Sequence, residues 1–256
     1  MSTNDIIRLK RQKLLRSKEQ LDKLPEGKLL VNTINAFSYN NARHDREFAE
    51  ALAHGDVLIP DGMSVVKACQ WLGNPQAPLE RVAGWDLFVH HMSRLNALQP
   101  LETSIHHAPR KVLFFGSSER VLELIKARTA KEYPNLDVIT YSPPYKETFS
   151  EDESKAMVEF INNAKPDLMW VGMTAPKQEK WTYSHWSELA VDCHVGTIGA
   201  VFDFYAGTKK RAPLWWQQHG IEWLYRLIKE PRRMWRRYVI GNVKFLAYMI
   251  GERIDA

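Results

Sequence analysis

Between Leu29 and Gly207 the chain alternates short apolar runs ending in Gly, Ser or Asp with longer stretches whose apolar positions recur every three or four residues. KVLFFGSSERVLELIKARTA reads as a buried strand, a turn in which Ser117 or Ser118 can cap, and a helix with Val121, Leu122 and Ile125 on one face. LMWVGMTAPKQEKW repeats the plan with Pro176 suited to a first helical turn, CHVGTIGAVFDFYAG gives a third copy, and LLVNTINAF and VLIPDGMSVVKACQWL add two strands at the front. Continuous apolar strands alternating with amphipathic helices predict an α/β fold, a Rossmann-like and mostly parallel sheet flanked by helices. The pattern does not reveal strand order. Two segments depart from it. RLKRQKLLRSKEQLDKL predicts a basic N-terminal helical segment within 1–28, ahead of a Rossmann-like core over 29–208. From 209 to 256 acidic residues thin out, and Leu224, Leu227, Ile228, Trp235, Tyr238 and Val239 share one helical face, which predicts a basic amphipathic helical C-terminal appendage.

Charge sharpens that division. The net charge of +5 is the sum of +4 over residues 1–30, −6 over the middle and +7 over 209–256, so a polyanion is met chiefly by the ends. No leader-like N-terminus and no apolar run long enough to span a bilayer are found, which predicts a cytoplasmic protein. Cys69 and Cys193 stand far apart without metal-ligand spacing. There is no D-x-D; Glu151, Asp152 and Glu153 follow Ser150 as an N-terminal helix turn would, and the adjacent pairs His90-His91 and His106-His107 diverge on a helix, so no metal and no cofactor are expected.

Ligands of such sheets sit beyond the carboxyl ends of the strands, where Asp61, Gly116, Gly172 and Gly196 fall. The glycines serve either close packing or the approach of a ligand to the backbone. Neither a dinucleotide fingerprint nor a nucleoside-triphosphate loop is present. Asp61 fits two roles, a general base in an anion-friendly pocket or a cap of the following helix.

The ordered set of T-x-N, PDGMSVV, RVAGWDL, FFGSSERV, VGMTAPKQE, GTIGAVFDFYAGTKKRAP and GIEWLYRLIKEPRRMWRRY resembles the WecG/TagA/CpsF glycosyltransferase family from Leu29 to about Tyr238. That resemblance implies transfer of a hexose or N-acetylhexosamine-type sugar from a UDP-sugar donor to a polyprenyl-diphosphate-linked saccharide, with inversion, at the inner membrane face during surface polysaccharide synthesis. It makes Asp61 the catalytic base. It places Thr33, Asn35, Arg81, Gly116, Gly172, Gln178, Gly196 and Asp203 in the substrate pocket, with Arg226, Arg232 and Arg233 reaching the diphosphate from the appendage. The common GVGGAFD form is here GTIGAVFD, so Thr197 and Ile198 bring extra bulk to that loop. With that resemblance, Trp235, Arg236 and Arg237 in an arginine- and tryptophan-rich stretch point to contact with an anionic membrane surface; the residues alone fit equally an amphipathic helix packed on the core. Two other classes share parts of the pattern: a nicotinamide-dependent oxidoreductase, which lacks its glycine fingerprint, and a nucleic-acid-binding module, against which the acidic middle speaks, so no nucleic acid partner is expected. A homo-oligomer is compatible with the sequence.

Overall fold

The computed structural model describes residues 6–98, 101–103 and 106–254, and for 101–103, 106–108, 218 and 233 the backbone alone. Its centre is a six-stranded sheet. In chain order the elements are β1 (Leu29–Ile34), α1 (Ala36–Ala42), α2 (Arg46–Ala53), β2 (Val57–Pro60), α3 (Met63–Trp71), α4 (Gly84–Ala97), the hairpin β3 (Leu101–Thr103) and β4 (His106–Ala108), β5 (Arg110–Gly116), α5 (Glu119–Glu132), β6 (Leu136–Tyr141), α6 (Glu151–Ala164), β7 (Leu168–Gly172), α7 (Lys177–Ser184), β8 (His194–Thr197) and α8 (Gly199–Tyr205). The tail adds α9 (Leu214–Gln218), α10 (Glu222–Lys229), α11 (Pro231–Trp235), a π-helical turn over Arg236–Ile240 and α12 (Gly241–Ile254).

The sheet runs β2-β1-β8-β7-β5-β6 with every neighbour pair parallel. Side-chain alternation along the strands feeds two different layers. Val112, Phe114 and Trp170 pack on α4, α5 and α8 through Phe88, Ile125 and Phe202, whereas Leu113, Phe115 and Val171 pack on α6 and α7 through Met157, Ile161 and Trp181. Both faces being covered, β5 and β7 are apolar almost throughout, which is why short unbroken apolar runs announced them.

The N-terminal basic helix does not form among the described residues. Residues 12–17 carry no helix, and the regular element before β1 is a six-residue 3-10 helix, Lys18–Lys23. Burial explains the difference: Ile7, Leu9 and Leu14 drop into the cluster around α1, α2 and α3, while Leu15 and Leu21 join the cluster under α4. A strap that serves two clusters cannot keep its apolar residues on one helical face.

This strap is tied to the tail. Phe245 and Met249 of α12 enter the α1–α3 cluster, and the buried Glu252 accepts hydrogen bonds from the Leu9 and Lys10 amides at 3.2 and 3.0 Å and from the Tyr39 hydroxyl. Among the described residues no helix is long and apolar enough to cross a membrane.

Candidate functional site

The carboxyl ends of the strands open into one cleft of about 2760 Å³, floored by Thr33, Asp61, Ser117, Ser142, Gly172 and Thr197 and roofed by tail residues from Gly220 to Met249. Asp61 follows β2 directly; its amide donates to Ile34 O at 2.8 Å, which ties the end of the edge strand β2 to the end of its neighbour β1. Gly62, not Asp61, is the residue before the first turn of α3, and no side chain caps that helix. The Asp61 carboxyl is therefore free of the capping role. Burial raises its pKa to about 6, with Arg81 and Arg226 pulling it down and Glu222 and Asp86 pushing it up.

Those neighbours form a compact charged group. Glu222 of α10 accepts from Arg81 at 3.4 Å and from Arg226 at 2.9 Å, so the core loop before α4 and the tail helix are bridged by one carboxylate. Arg226 also lies 5.0 Å from the ring centre of Phe204. Neither Glu222 nor Arg211, which shares this end of the cleft, stood out in the sequence. Arg211 sits in the GTKKRAP stretch and Glu222 in GIEWLYR, and nothing local distinguishes either from a surface charge; Glu222 is marked by its bond to Arg81, 141 residues away, and Arg211 by the Trp85 ring.

The other end of the cleft is built from amides. Gln178 and Glu179 open α7 and are both buried. Gln178 Oε1 accepts from the Gly199 amide at 3.1 Å, and its Nε2 donates to Glu179 Oε1 at 2.8 Å. Glu179 Oε2 is buried without a hydrogen-bond partner among the described residues, and burial pushes the carboxyl up to about 7 against the Gln178 bond. Gly199 is required here, because a Cβ would stand 2.1 Å from Met173 O.

Of the residues picked from sequence, Thr33, Asn35, Asp61, Arg81, Gly172, Gln178, Asp203 and Arg226 line this cleft. Asn35 spends its side-chain oxygen on capping α1, accepting from Phe37 and Ser38 amides. Asp203 is engaged by Thr208 at 3.2 Å and by Lys209, holding the turn after α8. Gly116 and Gly196 do not line the cleft, and their missing side chains have packing reasons: a Cβ at Gly116 would meet the Gly172 backbone at 2.6 Å, and one at Gly196 the Trp170 ring at 2.5 Å. Thr197 and Ile198 underlie the cleft floor while their side chains are buried. The Thr197 hydroxyl donates to Asn32 at 2.8 Å, and Ile198 packs against Gly84.

The tail arginines are distributed otherwise than expected. Arg232 is exposed and away from the cleft, and the Arg233 side chain lies outside the described residues. Arg236 and Arg237, anticipated at a membrane, line the cleft, with the Arg237 guanidinium 4.2 Å from the Phe37 ring centre. Trp235 is exposed and points away from the cleft. His90 and His91 lie far from this site in role and place: His91 is buried against His194, Nε2 to Nδ1 3.2 Å, and His90 faces Asp22. His106 and His107 fall on β4, where side chains lie outside the described residues. Among the described residues no group of three or more His, Cys, Asp or Glu side chains is arranged to hold a metal ion.

Comparison with known proteins identifies relatives of the whole chain. A family model described as "Glycosyl transferase WecG/TagA/CpsF family" matches residues 5–256. Among similar proteins is an N-acetylglucosaminyldiphosphoundecaprenol N-acetyl-beta-D-mannosaminyltransferase of Bacillus subtilis (strain 168), 27% identical over 208 residues, which cover 81% of this chain and 74% of the relative. A protein of the same name from Staphylococcus aureus (strain MW2) is 27% identical over 224 residues, covering 88% of this chain and 80% of the relative.

Proposed function

The chain is a glycosyltransferase of the WecG/TagA/CpsF family, and on that premise we propose that it moves a hexose or N-acetylhexosamine from a UDP-sugar onto a polyprenyl-diphosphate-linked saccharide in bacterial surface polysaccharide synthesis. The relatives' names point to an N-acetylglucosamine-diphosphate-polyprenol as the acceptor class and an N-acetylmannosamine-type donor as the first to try.

The observation that carries the reading is the uncapped Asp61 carboxyl among Arg81, Arg226 and Glu222, at the strand end where such sheets bind ligands. In the proposed reaction the acceptor hydroxyl gives its proton to Asp61 as its oxygen attacks the anomeric carbon, on the face opposite the departing UDP. The bond to the UDP oxygen breaks, configuration inverts, and the charge growing on the diphosphate meets guanidinium groups. Arg81 reaches it from the core and Arg226 from the tail. Thr33 and Gln178 orient the sugars from the floor.

In this reading residues 29–208 form the catalytic core, and 209–256 complete the site and hold the enzyme peripherally at the cytoplasmic face of the membrane. Supporting the second role, the tail exposes Leu214, Trp215, Ile228 and Trp235, and α12 adds a stripe of Val243, Leu246, Ile250 and Ile254 at helical spacing. Apolar side chains beside Arg232 and Lys244 suit an anionic lipid surface.

One experiment tests the reaction. The full chain is incubated with a panel of UDP-sugars and a short-chain polyprenyl-diphosphate N-acetylglucosamine, and UDP release and the elongated lipid are measured. Release that depends on the acceptor and on one donor is expected; no acceptor-dependent release from any donor overturns the reading.

A further inference from the structure

The arginines near Asp61 are not equivalent. Arg81 and Arg226 are already paired with Glu222. Asp86, the other carboxylate close by, is engaged by Lys18 at 3.0 Å and by the Ala83 amide at 2.8 Å. Arg211 is in neither pair. Its guanidinium lies 4.8 Å from the ring centre of Trp85 and 6.0 Å from that of Phe204, and it donates no hydrogen bond to any described residue. It is half-buried and lines the cleft.

Aromatic neighbours hold a guanidinium through its charge and its flat faces, and they leave its N–H donors unspent. Partly removed from water, such a group is costly to leave unpaired, and it gains most from an oxyanion that takes two parallel hydrogen bonds. Burial and the neighbouring Arg81 lower the Arg211 pKa, while Glu222, Asp86 and Asp61 work the other way. These carboxylates act on Arg211 through space, and none of them takes its N–H donors. Glu222 is shared by Arg81 and Arg226, and neither it nor Asp61 makes a hydrogen bond to Arg211.

We propose that Arg211 is a diphosphate-binding residue of this cleft, taking two oxygens of a substrate diphosphate through its free N–H edge. The assignment rests on the glycosyltransferase reading above, in which both the donor and the acceptor carry that group. Trp85 and Phe204 position the guanidinium, and Arg81 and Arg226 are the prepaired neighbours that need an exchange of partners before they can contribute as fully.

Calorimetric titration of the full chain with UDP, uridine, farnesyl diphosphate and farnesol separates the sources. Arg211→Ala should weaken UDP or farnesyl diphosphate binding by about tenfold or more, and leave the matching phosphate-free probe within about twofold of wild type. The diphosphate whose affinity falls identifies whether donor or acceptor is held. Arg211→Lys, which keeps the charge and loses the fork, should fall between wild type and the alanine variant, and it carries the same comparison if the alanine variant does not fold. Equal losses for UDP and uridine would mean that Arg211 merely props the pocket, and unchanged affinity for both diphosphates would likewise overturn the assignment. A wild-type chain that binds a diphosphate through Arg211 but transfers no sugar defeats the proposed reaction and leaves this assignment standing.

Discussion

Two carboxyl groups sit in the same cleft, Asp61 half-buried on its floor and Glu179 buried, and their surroundings send them to different work. Asp61 is ringed by charges of both signs, and its pKa stops at about 6. Glu179 has an amide on one oxygen and nothing on the other, and it climbs to about 7. Desolvation is the leading cause in both; the arginines make the difference. A carboxylate that ionises below neutral pH and has no hydrogen bond to break is ready to accept a proton. One that keeps its proton up to about neutral pH, bound to Gln178, is suited to hold an amide still.

The largest separation between the two should come from neutralising each. Asp61→Asn should lower turnover by roughly a hundredfold or more, the usual worth of a positioned base, with a melting temperature near wild type. Glu179→Gln, which keeps an acceptor for Gln178, should cost less than about threefold in the same assay. Comparable losses would erase the contrast.

Removing an arginine tests the electrostatic half of the comparison. The rate should fall as pH drops through about 6, because the base must be ionised. Arg81 lowers the Asp61 pKa, so Arg81→Ala should move that acid limb upward, while turnover at high pH drops by about tenfold through the lost diphosphate contact. A limb that stays where it was would detach Asp61 from Arg81.

Glu179 makes a smaller prediction about stability. Its folded pKa of about 7 stands above the ordinary 4.5, so between those values the folded chain holds a proton that the unfolded chain has released. Unfolding free energy then declines as pH rises from about 4.5 to 7, and the loss is complete above that window. Glu179→Gln should remove this slope and stabilise the protein at pH 8 by on the order of 2 kcal/mol, read from denaturant midpoints. An unchanged pH profile would place the ionised carboxylate in water. The smallest effect concerns metal: with cationic side chains facing the diphosphate, EDTA should leave the rate unchanged, and loss of activity restored by magnesium or manganese would contradict that.

Much of this was readable before any folding. The strands announced themselves because both sheet faces are covered, and FFGSSERV or VGMTAPKQE marks the strand end as well as the turn that follows. Asp61 and Gln178 were found at their turns. Charge alone could not separate Arg211 from Arg232: both lie in basic stretches, and only tertiary packing puts one between Trp85 and Phe204 and the other in solvent. Glycines were ambiguous for a related reason. Gly116 faces Gly172, its partner across the β5–β7 ladder, and no local pattern tells such a contact from a ligand's approach. The strap misled because lysines and leucines interspersed at irregular spacing suit a groove as well as a helix.

Glu252 turns the two extremities of the chain into a reporter. The Leu9 and Lys10 amides are bonded to a carboxylate 243 and 242 residues away, on the helix that helps to roof the cleft. Their hydrogens exchange with solvent only when that bond opens, so their deuterium uptake follows each lifting of α12 without any substrate present. A roof that lifts to admit a lipid-linked sugar would make these two amides exchange faster than those of β7, and Glu252→Gln should speed them further while leaving the β7 amides as slow as before.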